Sequence, residues 1–338
     1  MSKLFESIIV GDLEIKNRIV MPPMCMYSAK EGCVSDFHVL HYGARALGGV
    51  GLIIVEATGV SDCGRITDNC LGIYDDCQTE GLSRIAAAIK DYGATAAIQL
   101  GHAGRKCTVN VPEIIAPSAI AFDSKHRTPR EMKLEDIEAV VDEFKNAARR
   151  AAEAGFDMVE IHGAHGYLLS TFLSPLSNKR DDEYGGIPEN RARIVGLVLQ
   201  AVKQVFSGTV CLRVSADDFL PKGNRPADLA AMINSVKANG IDIVNVSVGG
   251  VVPVSIPTYP GYQLKFAEEI KLLTGLPVMA GGLLTSPEHM EEIVANKRAD
   301  MVFVGRELLR NPNFPLFASR SLNAGCLWPN QYEKAALT

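Results

Sequence analysis

The segment Glu160-Ile161-His162-Gly163-Ala164-His165-Gly166-Tyr167 sets two imidazoles three residues apart, with a phenol two residues further on. Neutral imidazoles can donate hydrogen bonds to a carbonyl oxygen, and a phenol beside them can supply a proton. Two histidines also suit a metal ion, yet the only further ligand type beside them is Glu160, whose spacing from His162 puts both side chains on one face of a strand. The favoured reading is a carbonyl-binding pair with an adjacent acid. Its rival is a metal-dependent barrel hydrolase or lyase.

Other reactive types stand at the ends of apolar runs: Pro22-Pro23-Met24-Cys25-Met26-Tyr27, Ala57, Gln99, Arg213, Gly281-Gly282 and Gly305-Arg306. The two glycine pairs, taken with Arg306, would offer free backbone amides and a guanidinium to a phosphate. Taken singly, either pair reads rather as the end of a strand. An arginine such as Arg213 is costly to bury unless an anion answers it. Asp217 is one answer; a flavin, whose reduced N1 region carries negative charge, is another. His38 and His41, three apart at helical spacing, read as helix packing or capping. No G-x-G-x-x-G follows a strand and no P-loop pattern occurs, so a Rossmann dinucleotide site is not indicated. The eight cysteines form no C-x-x-C, although Cys63, Cys70 and Cys77 recur every seventh residue; they read as reduced, unpaired thiols.

These groups need a scaffold that brings many strand ends to one rim. Eight β-rich apolar runs fall at residues 18–21, 51–57, 95–100, 157–162, 209–214, 241–246, 276–280 and 300–305. Their near-continuous hydrophobicity belongs to parallel strands buried on both faces. Helix-period segments lie between them at 37–47, 78–92, 134–154, 188–205, 226–239, 262–273 and 287–295. Repeated β-then-α order implies right-handed crossovers, and eight of them close an α/β fold of the (β/α)8 TIM-barrel type, read as a single domain over residues 1–338. Residues 8–15 read instead as a hairpin around Gly11-Asp12 that plugs the barrel's N-terminal mouth. The stretch 101–133 after the third strand is long enough to be a functional lid.

The chain has 338 residues, 47% of them hydrophobic and 22% charged, with a formal net charge of -5 and no extended run of Lys and Arg. That balance gives a polyanion nothing to bind, so nucleic acid is excluded as a partner. Charges interrupt the N-terminal segment, and no window approaches the ~20 apolar residues of a membrane span. The expected setting is the cytoplasm, with no membrane partner.

The segments KNRIVMPPMCMYS, HYGARALGGVGLIIVEAT, QLGHAGRK, GFDMVEIHGAHGYLLSTFLSPLSNKRDDEYGG, ENRARI and VGRELLRNP give the chain a resemblance to the Old Yellow Enzyme family along nearly its whole length. The likeness is to the cysteine-bearing, thermophilic-like branch of bacterial NADPH dehydrogenases or ene reductases. It implies FMN at the C-terminal mouth of the barrel, touched by Pro22, Pro23, Met24, Cys25, Ala57, Gln99 and Arg213, with its phosphate near Gly282, Gly305 and Arg306. It implies a substrate pocket of Tyr27, Lys106, His162, His165 and Tyr167, with Cys25 tuning the flavin. The implied activity is ping-pong reduction of activated C=C bonds, or of quinones and nitro compounds, by NADPH or NADH. His162 and His165 would hold the carbonyl, and Tyr167 would protonate. A non-catalytic flavin or phosphate sensor is the remaining alternative. Members of this branch often carry an arginine near the C-terminus that reaches a neighbouring subunit's pocket. Here Gln331-Tyr332-Glu333-Lys334-Ala335 puts Lys334 in that place, and a homodimer or homotetramer is expected.

Overall fold

The computed structural model describes residues 2–325 and 328–336. Eight parallel strands close into a barrel: β1 Ile19–Met21, β2 Leu52–Gly59, β3 Thr95–Gly101, β4 Met158–Gly163, β5 Thr209–Ser215, β6 Ile243–Ser247, β7 Val278–Ala280 and β8 Met301–Phe303. Each strand pairs with the next in sequence, and β8 pairs with β1. The eight strands expected from the apolar runs are these eight.

Helices return the chain to the lower rim: α1 Asp36–Leu47, α2 Thr79–Lys90, α3 Leu134–Glu153, then, after a short α4 Leu168–Leu173, α5 Pro188–Lys203, α6 Pro226–Val236, α7 Leu264–Thr274 and α8 Pro287–Ala295. Proline at the first turn starts α5, α6 and α8, where its missing N–H costs nothing. Left-handed Gly275 stops α7. The expected 226–239 helix ends sooner, at Val236, and residues 237–239 tighten into a 3₁₀ turn before left-handed Gly240. His38 and His41 are buried in α1, and His38 Nδ1 accepts the Ser35 N–H at 3.0 Å, so capping and packing do describe the pair. The short α4, α9 Arg306–Arg310, α10 Phe314–Ser321 and α11 Glu333–Ala336 escaped the sequence reading. At six residues and buried throughout, α4 has no polar face to reveal a helical period.

Along each strand the inward positions change character from bottom to top. Val20, Leu52, Ile54, Ala97, Met158, Cys211, Ile243, Met279 and Met301 form a buried apolar layer. Each fully buried aliphatic side chain there contributes about 1.5–3 kcal/mol. Two residues further up, the same faces carry Gln99, Glu160, Arg213 and Asn245, and then His162, Ser215 and Ser247. The core therefore closes below and turns polar above.

The hairpin forms as expected, with Ile8 opposite Ile15 and Val10 opposite Leu13 across left-handed Gly11. Val10 and Ile15 pack under the apolar layer, and Thr209 Oγ1 donates to Val10 O at 3.2 Å, which stoppers the lower end. The 101–133 stretch is not a structureless lid. Its Ile115–Ala116 pairs with Arg130–Glu131, and Arg130 joins it to α3 through both carboxylate oxygens of Asp136, at 2.7 and 2.9 Å.

Candidate active site

At the top of β4, His162 still belongs to the strand, whereas His165 (φ +61°) and Gly166 (φ +73°) are left-handed. A Cβ on Gly166 would lie 2.3 Å from Gly250 O, so only glycine fits. The left-handed turn at His165 costs of order 1–3 kcal/mol and is held from both sides. Its N–H donates to Ser215 Oγ at 2.9 Å, and its carbonyl accepts from Lys106 Nζ at 2.8 Å. The turn brings the His165 ring to 5.2 Å from that of His162, and the Tyr167 ring to 4.9 Å from it on another side.

Burial first, then the cationic Arg213 and Lys106 nearby, hold both histidines far below the usual imidazole range. Both are therefore neutral at physiological pH. His162 Nδ1 accepts the Ala164 N–H at 3.3 Å, which leaves Nε2 to carry its proton. His165 Nε2 lies 2.8 Å from Ser247 Oγ, which also receives the Gln263 amide at 3.1 Å. Burial raises the Tyr167 phenol above its ordinary range, so it keeps its proton. The cluster thus offers uncharged N–H donors beside a protonated phenol.

The loop after β1 supplies a second wall. Pro22, Pro23, Met24 and Cys25 line the rim, Cys25 is partly exposed, and half-exposed Tyr27 is left-handed at φ +52°. This loop is anchored by Glu56, a residue the sequence reading did not single out. A register shift between Val55 and Thr58 turns Glu56 to accept the Met26 N–H at 2.9 Å and the Tyr42 hydroxyl at 3.2 Å. Fully buried, its carboxyl is pushed up to about 7, chiefly by desolvation. Ala57 follows it at the rim, 9% exposed.

The polar floor joins four strands. Glu160 accepts from Gln99 Nε2 and from Asn245 Nδ2, both at 2.7 Å, and from Cys211 Sγ at 3.3 Å. Arg213 does not pair with Asp217, which instead holds Arg225 at 3.0 Å. Its buried Nε has no partner among the described residues, and neither do Asn245 Oδ1 and Gln263 Oε1. Orphaned donors and acceptors at one opening match a planar heterocycle with both kinds of group on its edge. Beside them, Pro22, Gly282, Gly305 and Arg306 border a cleft of about 190 Å³. Gly282 is left-handed at φ +103°, and a Cβ on Gly305 would meet only Met24 Sδ at 3.3 Å and Pro22 at 3.7 Å. FMN fits this combination.

Lys106 is at the site, but it spends its donors on His165 O and Gly250 O, at 2.8 and 2.9 Å, and lies 3.9 Å from the centre of the Phe122 ring. It shapes the turn before it can serve a ligand. Exposed Lys334 is not brought to this mouth: Trp328 to Gln331, just before it, share a cleft with Asn17, Gly49 and Tyr92, which precede β1, β2 and β3 at the lower end. No cluster of three or more metal-ligating side chains occurs among the described residues, and no described helix is long and apolar enough to cross a membrane. The seven described cysteines are free, while Cys326 lies outside the described residues. Gln263 also escaped the sequence reading, since it reaches the site from the start of α7 through its amide on Ser247 Oγ.

The model of the NADH:flavin oxidoreductase / NADH oxidase family matches residues 3–324. An NADPH dehydrogenase of Geobacillus thermodenitrificans is 52% identical over 333 residues, covering 98% of each chain. Among solved structures, an old yellow enzyme homologue of Zymomonas mobilis superposes with a TM-score of 0.80 at 28% identity, over 96% of this chain and 94% of that one. A 2-naphthoyl-CoA reductase complex superposes with a TM-score of 0.89 at 26% identity; 94% of this chain is covered, and it spans 52% of that longer chain. Barrel, mouth and relatives agree: this chain is an FMN-dependent oxidoreductase of the Old Yellow Enzyme type and belongs to the NADH:flavin oxidoreductase / NADH oxidase family.

Proposed function

We propose that the enzyme reduces the C=C bond of α,β-unsaturated carbonyl compounds, and also quinones or nitro compounds, by a ping-pong exchange with NADPH or NADH. The observation that carries this reading is the neutral His162–His165 pair with protonated Tyr167 beside it, at the mouth that fits FMN. Residues 1–338 act as one FMN-binding domain. Pro22, Pro23, Met24, Cys25, Ala57, Gln99 and Arg213 would hold the ring system, and Gly282, Gly305 and Arg306 the phosphate. Bound FMN supplies the hydride acceptor and donor.

Neutral imidazoles bind the substrate's carbonyl oxygen without forming an ion pair in the ground state. Their hydrogen bonds strengthen as negative charge grows on that oxygen, which favours the transition state over the substrate. Tyr167 then releases its proton to the α-carbon. Tyr27 and the apolar flank of Lys106 shape the pocket, and Cys25 adjusts the flavin through its S–H dipole. We infer further a cytoplasmic homodimer or homotetramer, in which Lys334 of one subunit serves a neighbour's pocket.

Tyr167→Phe tests the proposal. Stopped-flow traces should show the oxidative half-reaction with cyclohexenone slowed about 10²- to 10⁴-fold while reduction by NADPH stays near normal. Equal slowing of both halves would overturn the assignment of Tyr167 as the acid.

A further inference from the structure

Glu160 takes no part in the roles above. It is fully buried in β4, and no ion pair answers it among the described residues. Every side chain that touches it is a donor: Asn245 Nδ2 at 2.7 Å and the Cys211 thiol at 3.3 Å meet Oε2, and Gln99 Nε2 at 2.7 Å meets Oε1. Three donors and no acceptor suit a carboxylate. Burying that charge is tolerable only because hydrogen bonds surround it, and a neutral residue of the same shape would serve the fold as well.

The three bonds work in sequence. Asn245 on β6 and Cys211 on β5 hold the carboxylate in place, which leaves Oε1 to draw the Gln99 amide nitrogen. Because nitrogen and oxygen occupy opposite corners of one rigid amide plane, Gln99 Oε1 is turned away from Glu160, and no protein donor meets it among the described residues. An unrestrained glutamine can present either atom to a ligand. This one presents its carbonyl.

We propose that Glu160 is a positioning residue for the flavin: it fixes Gln99 as the acceptor for the ring's N3–H, and its charge lowers the reduction potential of the bound cofactor. This rests on the FMN ring lying against Gln99 and Arg213, as proposed above. Reduction puts negative charge on the N1 region of that ring. Arg213 favours the charge, whereas Glu160 opposes it across one amide, since like charges repel strongly in a low-dielectric interior. The two come from adjacent strands, Arg213 opposite His162 and Glu160 opposite Cys211, and no ion pair joins them to cancel either effect. A lower potential favours hydride leaving for the substrate.

Glu160→Gln tests both halves. It keeps the shape, removes the charge and offers an N–H of its own, which allows the Gln99 amide to turn over. Holoenzyme is equilibrated with an equal mixture of FMN and N3-methyl-FMN, freed of unbound flavin, and its bound flavins are separated by chromatography. Wild type should retain FMN over the methylated ring at least about tenfold, the worth of one hydrogen bond, and the variant should show a smaller preference. Reduction against a reference dye should favour the reduced flavin about tenfold more in the variant than in wild type, an upward shift of about 30 mV for a two-electron couple. A floor that is merely loosened weakens both flavins together and leaves their ratio alone. An unchanged ratio, or a potential that stays or falls, overturns the role of Glu160 and leaves the ring's place standing. Equal uptake of the two flavins by wild type overturns the ring's place as well, and that result is readable even where the variant fails to fold.

Discussion

Glu56→Gln should remove a pH dependence of stability that the wild-type protein carries between about pH 5 and 8. Burial raises the Glu56 carboxyl from 4.5 to about 7, while the Met26 N–H and the Tyr42 hydroxyl work against that rise. A folded-state value above the unfolded one means that the folded protein binds this proton more tightly. The stability it confers is complete below about pH 4.5 and is lost as the pH climbs through about 7. At 1.36 kcal/mol per pH unit the loss amounts to about 3 kcal/mol. Over 338 residues, an unfolding entropy of about 2.1 cal/mol/K per residue makes this a fall of about 4 °C in melting temperature. Glutamine keeps an acceptor for Met26 and cannot ionise, and other titrating groups, including buried Glu143, are common to both proteins. Thermal unfolding of the holoenzymes by circular dichroism, from pH 5 to 8, should therefore show wild type losing about 4 °C relative to the variant. Parallel curves would refute the argument and mean that Glu56 is already ionised in its pocket.

Three further outcomes follow from the same geometry. Gly166→Ala must place a Cβ 2.3 Å from Gly250 O in a left-handed turn, so it should lower the melting temperature and weaken binding of para-substituted phenols, read from their charge-transfer absorbance. Lys106→Met strips the donor from His165 O and Gly250 O; at about 1.5–3 kcal/mol per charge-assisted bond, urea unfolding should register a loss of at least one such bond. Arg213→Gln takes away the guanidinium whose Nε is otherwise unpartnered and should weaken FMN binding at least tenfold, or about 1.4 kcal/mol, in a fluorescence titration of the apoprotein.

The barrel was legible because parallel strands buried on both faces must be apolar along most of their length, and the exceptions mark the mouth. Gln99, Arg213 and His162 could be picked out as polar residues near the ends of apolar runs, and the structure sets all three on inward faces. Glu56 could not, because alternation alone does not reveal the register shift between Val55 and Thr58 that turns it toward Tyr42. Lys106 was found, but its two carbonyl partners come from other loops, and no local pattern foretells them.

The hairpin under the barrel has a consequence for traffic. With Val10 and Ile15 filling the lower opening, the upper mouth is the doorway left among the described residues, and whatever binds above the polar floor arrives and departs by it. Two molecules that both need that floor must queue. Crowding by either one then delays the other, so turnover should pass through a maximum and decline as the concentration of the more tightly held visitor rises.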